Sequence, residues 1–460
     1  MRTFVSRLAG VALVLATSAP ALAADPVKVS LPVEKYKLEN GLEVILHEDH
    51  RTPVIAVNVW YHVGSKDEQP GKNGFAHLFE HVMFQGSRHV PEDTFFKFLE
   101  RAGASERNGT TNTDRTNYFE TVPSNQLEVA LWLESDRMAF LLDHADEKTF
   151  ASQREVVKNE RRQNYENAPY GLVYPMIRAA MYPKDHPYHL VTIGTPEDLD
   201  RASMEDVRGF FKTWYVPNNA TLVLAGDLDK AKAKELVQKW FGPIVRGPDA
   251  SPRTMPMPVA LDAEKTLKIE AEVELPRVTF SWPTPPSYSA PDADLDVLAH
   301  VLTSGKSSRL YKRLVYELQI AQDVSAYQAS AQLSSTFEVQ VTLKKGKSID
   351  EVIKIVDEEL AKIRATPADA AEIERARAQL LSHLVFDVER VTARANMLNQ
   401  YNQNTGDPGF IEKDVARYQA TSAASVQKTA STFLPEKKRV VAIVVPTPGA
   451  PRAGRLVEAK

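Results

Sequence analysis

Ala76-His77-Leu78-Phe79-Glu80-His81-Val82-Met83-Phe84-Gln85-Gly86 can be laid on Leu295-Asp296-Val297-Leu298-Ala299-His300-Val301-Leu302-Thr303-Ser304-Gly305, placing His81 over His300 and Gly86 over Gly305 at one offset of 219. A second match closes each half. Trp214-Tyr215-Val216-Pro217 before Ala220–Ala225 resembles Thr432-Phe433-Leu434-Pro435 before Arg439–Val444, with the two prolines 218 apart. Two matches at nearly the same offset predict a duplicated unit of about 210 residues.

Each half mixes strands and helices. Tyr36–Leu38 and Leu42–Leu46 flank Glu39-Asn40-Gly41, whose Asn-Gly pair predicts a two-residue hairpin turn. Val54–His62 is rich in β-branched and aromatic residues. Helical patterns follow at Asn73–Gln85, Glu92–Ala102, Asn125–Ala139 and Glu147–Asn164, and a strand closes the half at Ala220–Ala225. The second half repeats the order, with strands near Lys268–Phe280 and Thr336–Leu343 and long helices across Ala368–Tyr401. Strands first and helices after them predict an α+β fold of two homologous domains, each a mainly antiparallel sheet with helices on one face. The proline-rich stretch 246–267, with Pro248, Pro252, Pro256 and Pro258, reads as a linker between an N-terminal domain (25–245) and a C-terminal domain (268–452).

Composition narrows the function. The 460 residues carry 56 Lys+Arg against 60 Asp+Glu, a net charge of −4, which excludes a nucleic-acid binder built on a global basic field. With 43% hydrophobic and 25% charged residues, the chain is neither disordered nor fibrous. There are no cysteines, so disulfides, thiolate metal ligands and a thiol nucleophile are all excluded. Arg2 and Arg7, the apolar run Leu8–Leu15 and the small-x-small ending Ala21-Leu22-Ala23 predict a cleaved secretory signal over residues 1–24. No later stretch is long and apolar enough to span a bilayer, so an exported, periplasmic protein is expected.

His77-Leu78-Phe79-Glu80-His81 carries the chemistry. With Asn73 as cap and Gly86 as stop, a helix at about 100° per residue puts His77, Glu80, His81 and Phe84 on one face and Phe75, Leu78, Phe79, Val82 and Met83 on the other. Two imidazoles one turn apart can hold one metal ion, with the carboxylate between them beside any water on that ion. Zinc suits a nitrogen and oxygen ligand set, which manganese or cobalt would also fit, and lowers the pKa of bound water to about 7, and Glu80 is then placed to act as general base. A catalytic zinc takes three protein ligands, and the third is sought in Gln153–Arg162. Glu155 and Glu160 lie about 140° apart around a helix, so at most one faces the site, and the spacing does not choose between them. His186 and His189 read as loop histidines.

The chain resembles the pitrilysin-type (M16) zinc metallopeptidases, in particular the shorter bacterial members similar to the mitochondrial processing peptidase. The resemblance rests on H-L-F-E-H, Arg115-Thr116-Asn117-Tyr118-Phe119, Arg154-Glu155-Val156-Val157 through Glu160, Gly226-Asp227 and Ser307-Ser308-Arg309-Leu310-Tyr311. It implies one zinc ion held by His77, His81 and Glu160, with Glu155 a neighbour and Gln153 standing where the family often has an acid. It also implies an edge strand near Asn108 that pairs with extended, unfolded peptide, with Asn108 and Tyr118 as substrate-binding positions. Under the repeat, Asp296 stands for His77 and Ala299 for Glu80, so the second half is expected to be non-catalytic. The family closes a chamber with a second, related part that supplies an Arg and a Tyr. Gln328–Ile363 contains neither, which predicts a heterodimer with a related M16-like chain, or a homodimer. The expected activity is zinc-dependent endopeptidase cleavage of unfolded peptides. The alternative is a non-cleaving structural or peptide-binding subunit.

Overall fold

The computed structural model describes residues 28–460, so the signal segment read at 1–24 lies outside the described residues. Two six-stranded sheets organise the chain. The first contains β1 (Glu34–Lys37), β2 (Glu43–Glu48), β3 (Val54–Tyr61), β4 (Ser105–Thr111), β5 (Thr116–Pro123) and β6 (Ala220–Gly226), in spatial order β1-β2-β6-β3-β5-β4. The second contains β7 (Lys265–Ala271), β8 (Arg277–Thr284), β9 (Ala321–Ala329), β10 (Ser335–Leu343), β11 (Val440–Pro446) and β12 (Arg455–Ala459), in spatial order β12-β7-β11-β8-β10-β9. The duplication is therefore topological. In each sheet one parallel pair, β2–β6 or β7–β11, sits beside antiparallel neighbours. β1 and β12 come from opposite ends of the chain yet fill the same slot, each antiparallel to the strand beside it.

Helices line one face of each sheet and build its core. Val57, Val59, Tyr61, Tyr118 and Val122 meet Phe75, Leu78, Phe79 and Leu131 in the first half. Phe280, Trp282, Val339 and Val341 meet Leu295, Leu298 and Leu302 in the second. The opposite face of each sheet is covered by a helix from the other half. Helix Val391–Thr405 seats Ala395, Leu398 and Tyr401 on Ile45, Ala56 and Val223, while helix Val173–Met181 seats Val173, Ile177 and Met181 on Ile269, Ala442 and Val444. Burying an apolar side chain this way contributes about 1.5–3 kcal/mol, so each sheet draws stability from the other half.

Two local expectations change. The first hairpin is a three-residue loop: Leu38 N donates to Leu42 O and Gly41 N to Leu38 O, both at 2.9 Å, and Gly41 takes φ +94° as the left-handed residue of a bulge. Asn40 is drawn out of a two-residue turn because its amide donates to Phe241 O and Ile244 O at 2.8 and 2.9 Å, satisfying a helix C-terminus. The long helical stretch at 368–401 divides into Ala370–Asp387 and Val391–Thr405. Arg394 bonds Val388 O at 3.0 Å at the break and pairs with Asp49 at 2.8 Å, fixing the turn that sends the second helix under the first sheet. Residues 245–264, between the last helix of the first half and β7, contain no helix or strand, and the second sheet runs from Lys265 to Ala459. Among the described residues no helix is long and apolar enough to cross a membrane.

Candidate metal centre

The motif lies on helix Phe75–Val82, shorter than its pattern suggests. Its cap is not Asn73, whose side chain bonds Asp198; Gly74, at φ +93°, occupies the N-cap. Glu68 does the capping, its carboxylate accepting Gly74 N at 3.1 Å and Ala76 N at 2.8 Å. Gly74 also permits close approach, because a Cβ there would meet Ile193 O at 2.7 Å. The apolar back of the helix packs into the first core, which fixes where the polar front points.

Glu160 lies near the end of helix Glu147–Arg161, which packs beside the motif helix. Its Oε2 stands 3.7 Å from His77 Nε2 and 3.3 Å from His81 Nε2. Ligand bonds of 2.0–2.1 Å around a tetrahedral ion put donor atoms about 3.3 Å apart, so this spacing fits zinc. The ligand atoms all lie within 4.8 Å of one another, and among the described residues no other group of three His, Cys, Asp or Glu side chains does so. Glu155 turns instead to Lys158 at 3.0 Å. His186 and His189 bond Met257 O and Tyr182 O at 2.9 and 2.8 Å, away from the cluster.

The electrostatics suit a cation. Burial and the adjacent His81 push His77 down to about 4, opposed by Glu160, so its imidazole is neutral near pH 7 and able to ligate. The Glu160 carboxyl is held below its ordinary value, chiefly by His81. Glu80 is buried, and burial raises its carboxyl above its ordinary value against the pull of Thr111, His81 and Arg115. Thr111 Oγ1 donates to Glu80 Oε2 at 2.6 Å.

Residues 105–111 form edge strand β4, paired among the described residues only with β5. Asn108 is exposed there, its Oδ1 accepting Gly109 N at 2.9 Å. Tyr118, on β5, is fully enclosed. Its ring packs against Phe84 and Tyr61 at centroid distances of 5.5 and 5.9 Å, its hydroxyl lies 3.5 Å from that of Tyr215, and it has no surface for a ligand to touch. Glu68 escaped the sequence reading, and Gly109, Thr111 and Arg115 entered it only as members of motifs, with no contact to Glu80 assigned to them. Period-two alternation along Asn108-Gly109-Thr110-Thr111 does put Gly109 and Thr111 on one face, but that face is identified only when Glu80 stands over it.

The second half keeps the scaffold of this site and loses its donors. Gln379 occupies the position offset by 219 from Glu160 and meets His300 Nδ1 at 3.3 Å. Asp296 accepts from the Tyr418 hydroxyl at 2.8 Å.

A family model described as insulinase (peptidase family M16) matches residues 43–194, and one described as the peptidase M16 inactive domain matches residues 201–380. Together they cover most of the chain, which belongs to the M16, pitrilysin-type family of zinc metallopeptidases and has its fold. The chain is 28% identical over 374 residues to the zinc protease PqqE of Helicobacter pylori, covering 80% of this chain and 83% of that protein. It is 25% identical over 413 residues to a probable mitochondrial-processing peptidase subunit beta of Schizosaccharomyces pombe, covering 84% and 87%. The crystal structure of a protease from Helicobacter pylori superposes with a TM-score of 0.85 at 25% identity, covering 91% of this chain and 100% of that one. The periplasmic protease PqqL of Escherichia coli shares the fold, with a TM-score of 0.76 at 18% identity over 91% of this chain and 48% of that one.

Proposed function

We propose that this chain is a zinc endopeptidase acting on unfolded peptides, in the bacterial subgroup similar to the mitochondrial processing peptidase. The convergence of His77, His81 and Glu160 carries the reading. These three side chains would hold zinc, which when bound supplies a Lewis acid that polarises a peptide carbonyl and acidifies water. Glu80 is the general base: it takes the proton from the attacking water at its carboxylate and passes it to the leaving amine, a transfer favoured by a carboxyl whose pKa burial has raised toward neutrality. β4 is the docking rail, where a peptide adds as a further strand beside Asn108. Main-chain pairing of this kind requires the substrate to be unfolded. Tyr118 supports that rail from within the core.

The N-terminal half (25–245) is then the catalytic domain and the C-terminal half its non-catalytic partner. The relationship to a periplasmic fold relative, together with the secretory pattern at 1–24, supports export to a periplasm. A second, related chain completes the chamber by supplying the Arg and Tyr that Gln328–Ile363 lacks. The test uses purified full-length chain, alone and mixed with such a partner, assayed on an unstructured peptide with and without chelator. Glu80→Gln should retain one zinc per chain and lose hydrolysis. Undiminished turnover in that variant refutes the role of Glu80, and a protein that binds no zinc refutes the reading as a whole.

A further inference from the structure

β4 and β5 meet in a tight hairpin in which Asn112 N donates to Arg115 O at 3.0 Å. Main-chain groups along an antiparallel strand alternate between its neighbour and the open side. Counting back from Asn112 through the register Thr111↔Thr116, Thr110↔Asn117, Gly109↔Tyr118 and Asn108↔Phe119, the N–H and C=O of Thr110 and Asn108 face β5. Those of Gly109 and Thr111 face outward along the free edge. Arg115 reinforces the inward set, its guanidinium donating to Thr110 O at 2.7 Å.

The side-chain positions of Gly109 and Thr111 share the face that meets the motif helix. A Cβ on Gly109 would stand 3.0 Å from Glu80 Cγ, and the Thr111 hydroxyl makes the one hydrogen bond to the Glu80 carboxylate among the described residues. The outward N–H of Gly109 is already covered by the Asn108 side chain, whereas among the described residues no side chain hydrogen-bonds the outward groups of Thr111. One residue therefore presents main chain to the open edge and a hydroxyl to the buried acid.

We infer that Thr111 is a positioning residue that fixes the Glu80 carboxylate in register with the backbone of a peptide strand added to β4. The inference rests on the proposed roles of Glu80 and β4. Because the link runs through main chain on the peptide side, it orients the base alike for any side-chain sequence. An atom of the catalytic set displaced by about 1 Å can lower a rate about 100-fold, and the Thr111 hydroxyl is the contact that holds the Glu80 carboxylate against such a displacement.

The test compares Thr111→Val, which keeps the shape and removes the hydroxyl, with Thr111→Ser, which keeps the hydroxyl, in the full zinc-loaded chain, alone and mixed with the related partner chain, acting on an unstructured quenched-fluorescent peptide. Thr111→Val should lower kcat about 100-fold with KM changed less than about threefold, with zinc stoichiometry unchanged and the thermal midpoint lowered by about a few degrees at most, and Thr111→Ser should restore kcat to within about threefold. The inference is overturned if Thr111→Val keeps wild-type kcat, if the loss falls on KM alone, if Thr111→Ser is as impaired as Thr111→Val, or if Thr111→Val loses zinc. Glu80→Gln, run in parallel, separates the two readings: inactive Glu80→Gln beside fully active Thr111→Val sinks the positioning role alone, while active Glu80→Gln sinks the base assignment beneath it.

Discussion

Replacing Glu68 by glutamine should change stability in a direction that reverses with pH. Glu68 is buried under the first turn of the motif helix, where its two oxygens hold Gly74 N and Ala76 N at 3.1 and 2.8 Å. Burial pushes its carboxyl up to about 8, against the pull of those two amides, from an ordinary value of 4.5. Between these limits the native state keeps a proton that the unfolded chain has lost. The linked stability is therefore complete below about 4.5 and declines as pH rises toward 8. Its slope is at most about 1.36 kcal/mol per pH unit, so the whole window is worth up to about 5 kcal/mol. Glutamine has no such slope, but its NH2 group faces one of the two helix amides and leaves that buried donor unpaired, at about 1–3 kcal/mol. Glu68→Gln should thus be the less stable protein at pH 5 and draw level with or pass the wild type near pH 8. Urea unfolding of metal-free protein, followed by tryptophan fluorescence at pH 5 to 8.5, measures the difference, and subtracting the two proteins removes every other titrating group. A wild-type minus variant difference that stays constant across that range refutes the reasoning.

Glu160→Gln exchanges an anionic oxygen for a neutral one in the first ligand set, and should weaken zinc binding by at least about 100-fold, the upper end of what losing an outer partner costs, as read by chelator competition. The far-UV circular dichroism of that variant should match the wild type, since Glu160 is half-buried in the last turn of helix Glu147–Arg161 and is not among the residues that helix buries in the core. Arg394→Met removes a guanidinium that pairs with Asp49 at 2.8 Å and caps the break at Val388. Asp49 retains Arg51 at 2.7 Å, so the expected destabilisation is about 1–3 kcal/mol, below that of a fully orphaned buried charge, and urea denaturation reads it.

Much of the architecture was legible because central strands such as Val54–Tyr61 and Ala220–Gly226 are short apolar runs buried on both faces, and helices such as Phe75–Val82 and Met204–Trp214 bury one patterned face. The duplication was legible from His81 and His300 and from Pro217 and Pro435, and the two sheets repeat one strand order. Three features were not. Asn40 was read as a turn residue, yet its amide serves a helix C-terminus more than 200 positions away, a long-range demand that no local preference encodes. The cap of the motif helix comes from Glu68 rather than the adjacent Asn73, because Asp198 takes the asparagine side chain. The exchange of covering helices between halves leaves no mark in the sequence, since the pattern of a helix does not say which sheet it covers. Of the site, the histidine pair was readable from spacing alone. The choice of Glu160 over Glu155 came from resemblance to a family, and geometry agrees with it because Glu155 is occupied by Lys158.

The duplicated scaffold also shows how much of the site is fold and how much is side chain. Both halves bring a helix carrying a histidine against a second helix, and His300 and Gln379 meet at 3.3 Å where His81 and Glu160 meet at the same distance. Three replacements separate them. Asp296 stands for His77 and is turned to the Tyr418 hydroxyl, Ala299 for Glu80 removes the acid, and Gln379 for Glu160 removes the anionic donor. Each removes a different element of the proposed chemistry: an imidazole ligand, a proton acceptor and a charge. Restoring any one would therefore leave the second half without a complete donor set or without a base. The packing that juxtaposes the two helices persists because it belongs to the core, where Leu295, Leu298 and Leu302 are buried regardless of what the front of the helix carries. The donor set is thus carried on a framework whose core packing does not depend on which side chains the helix front presents.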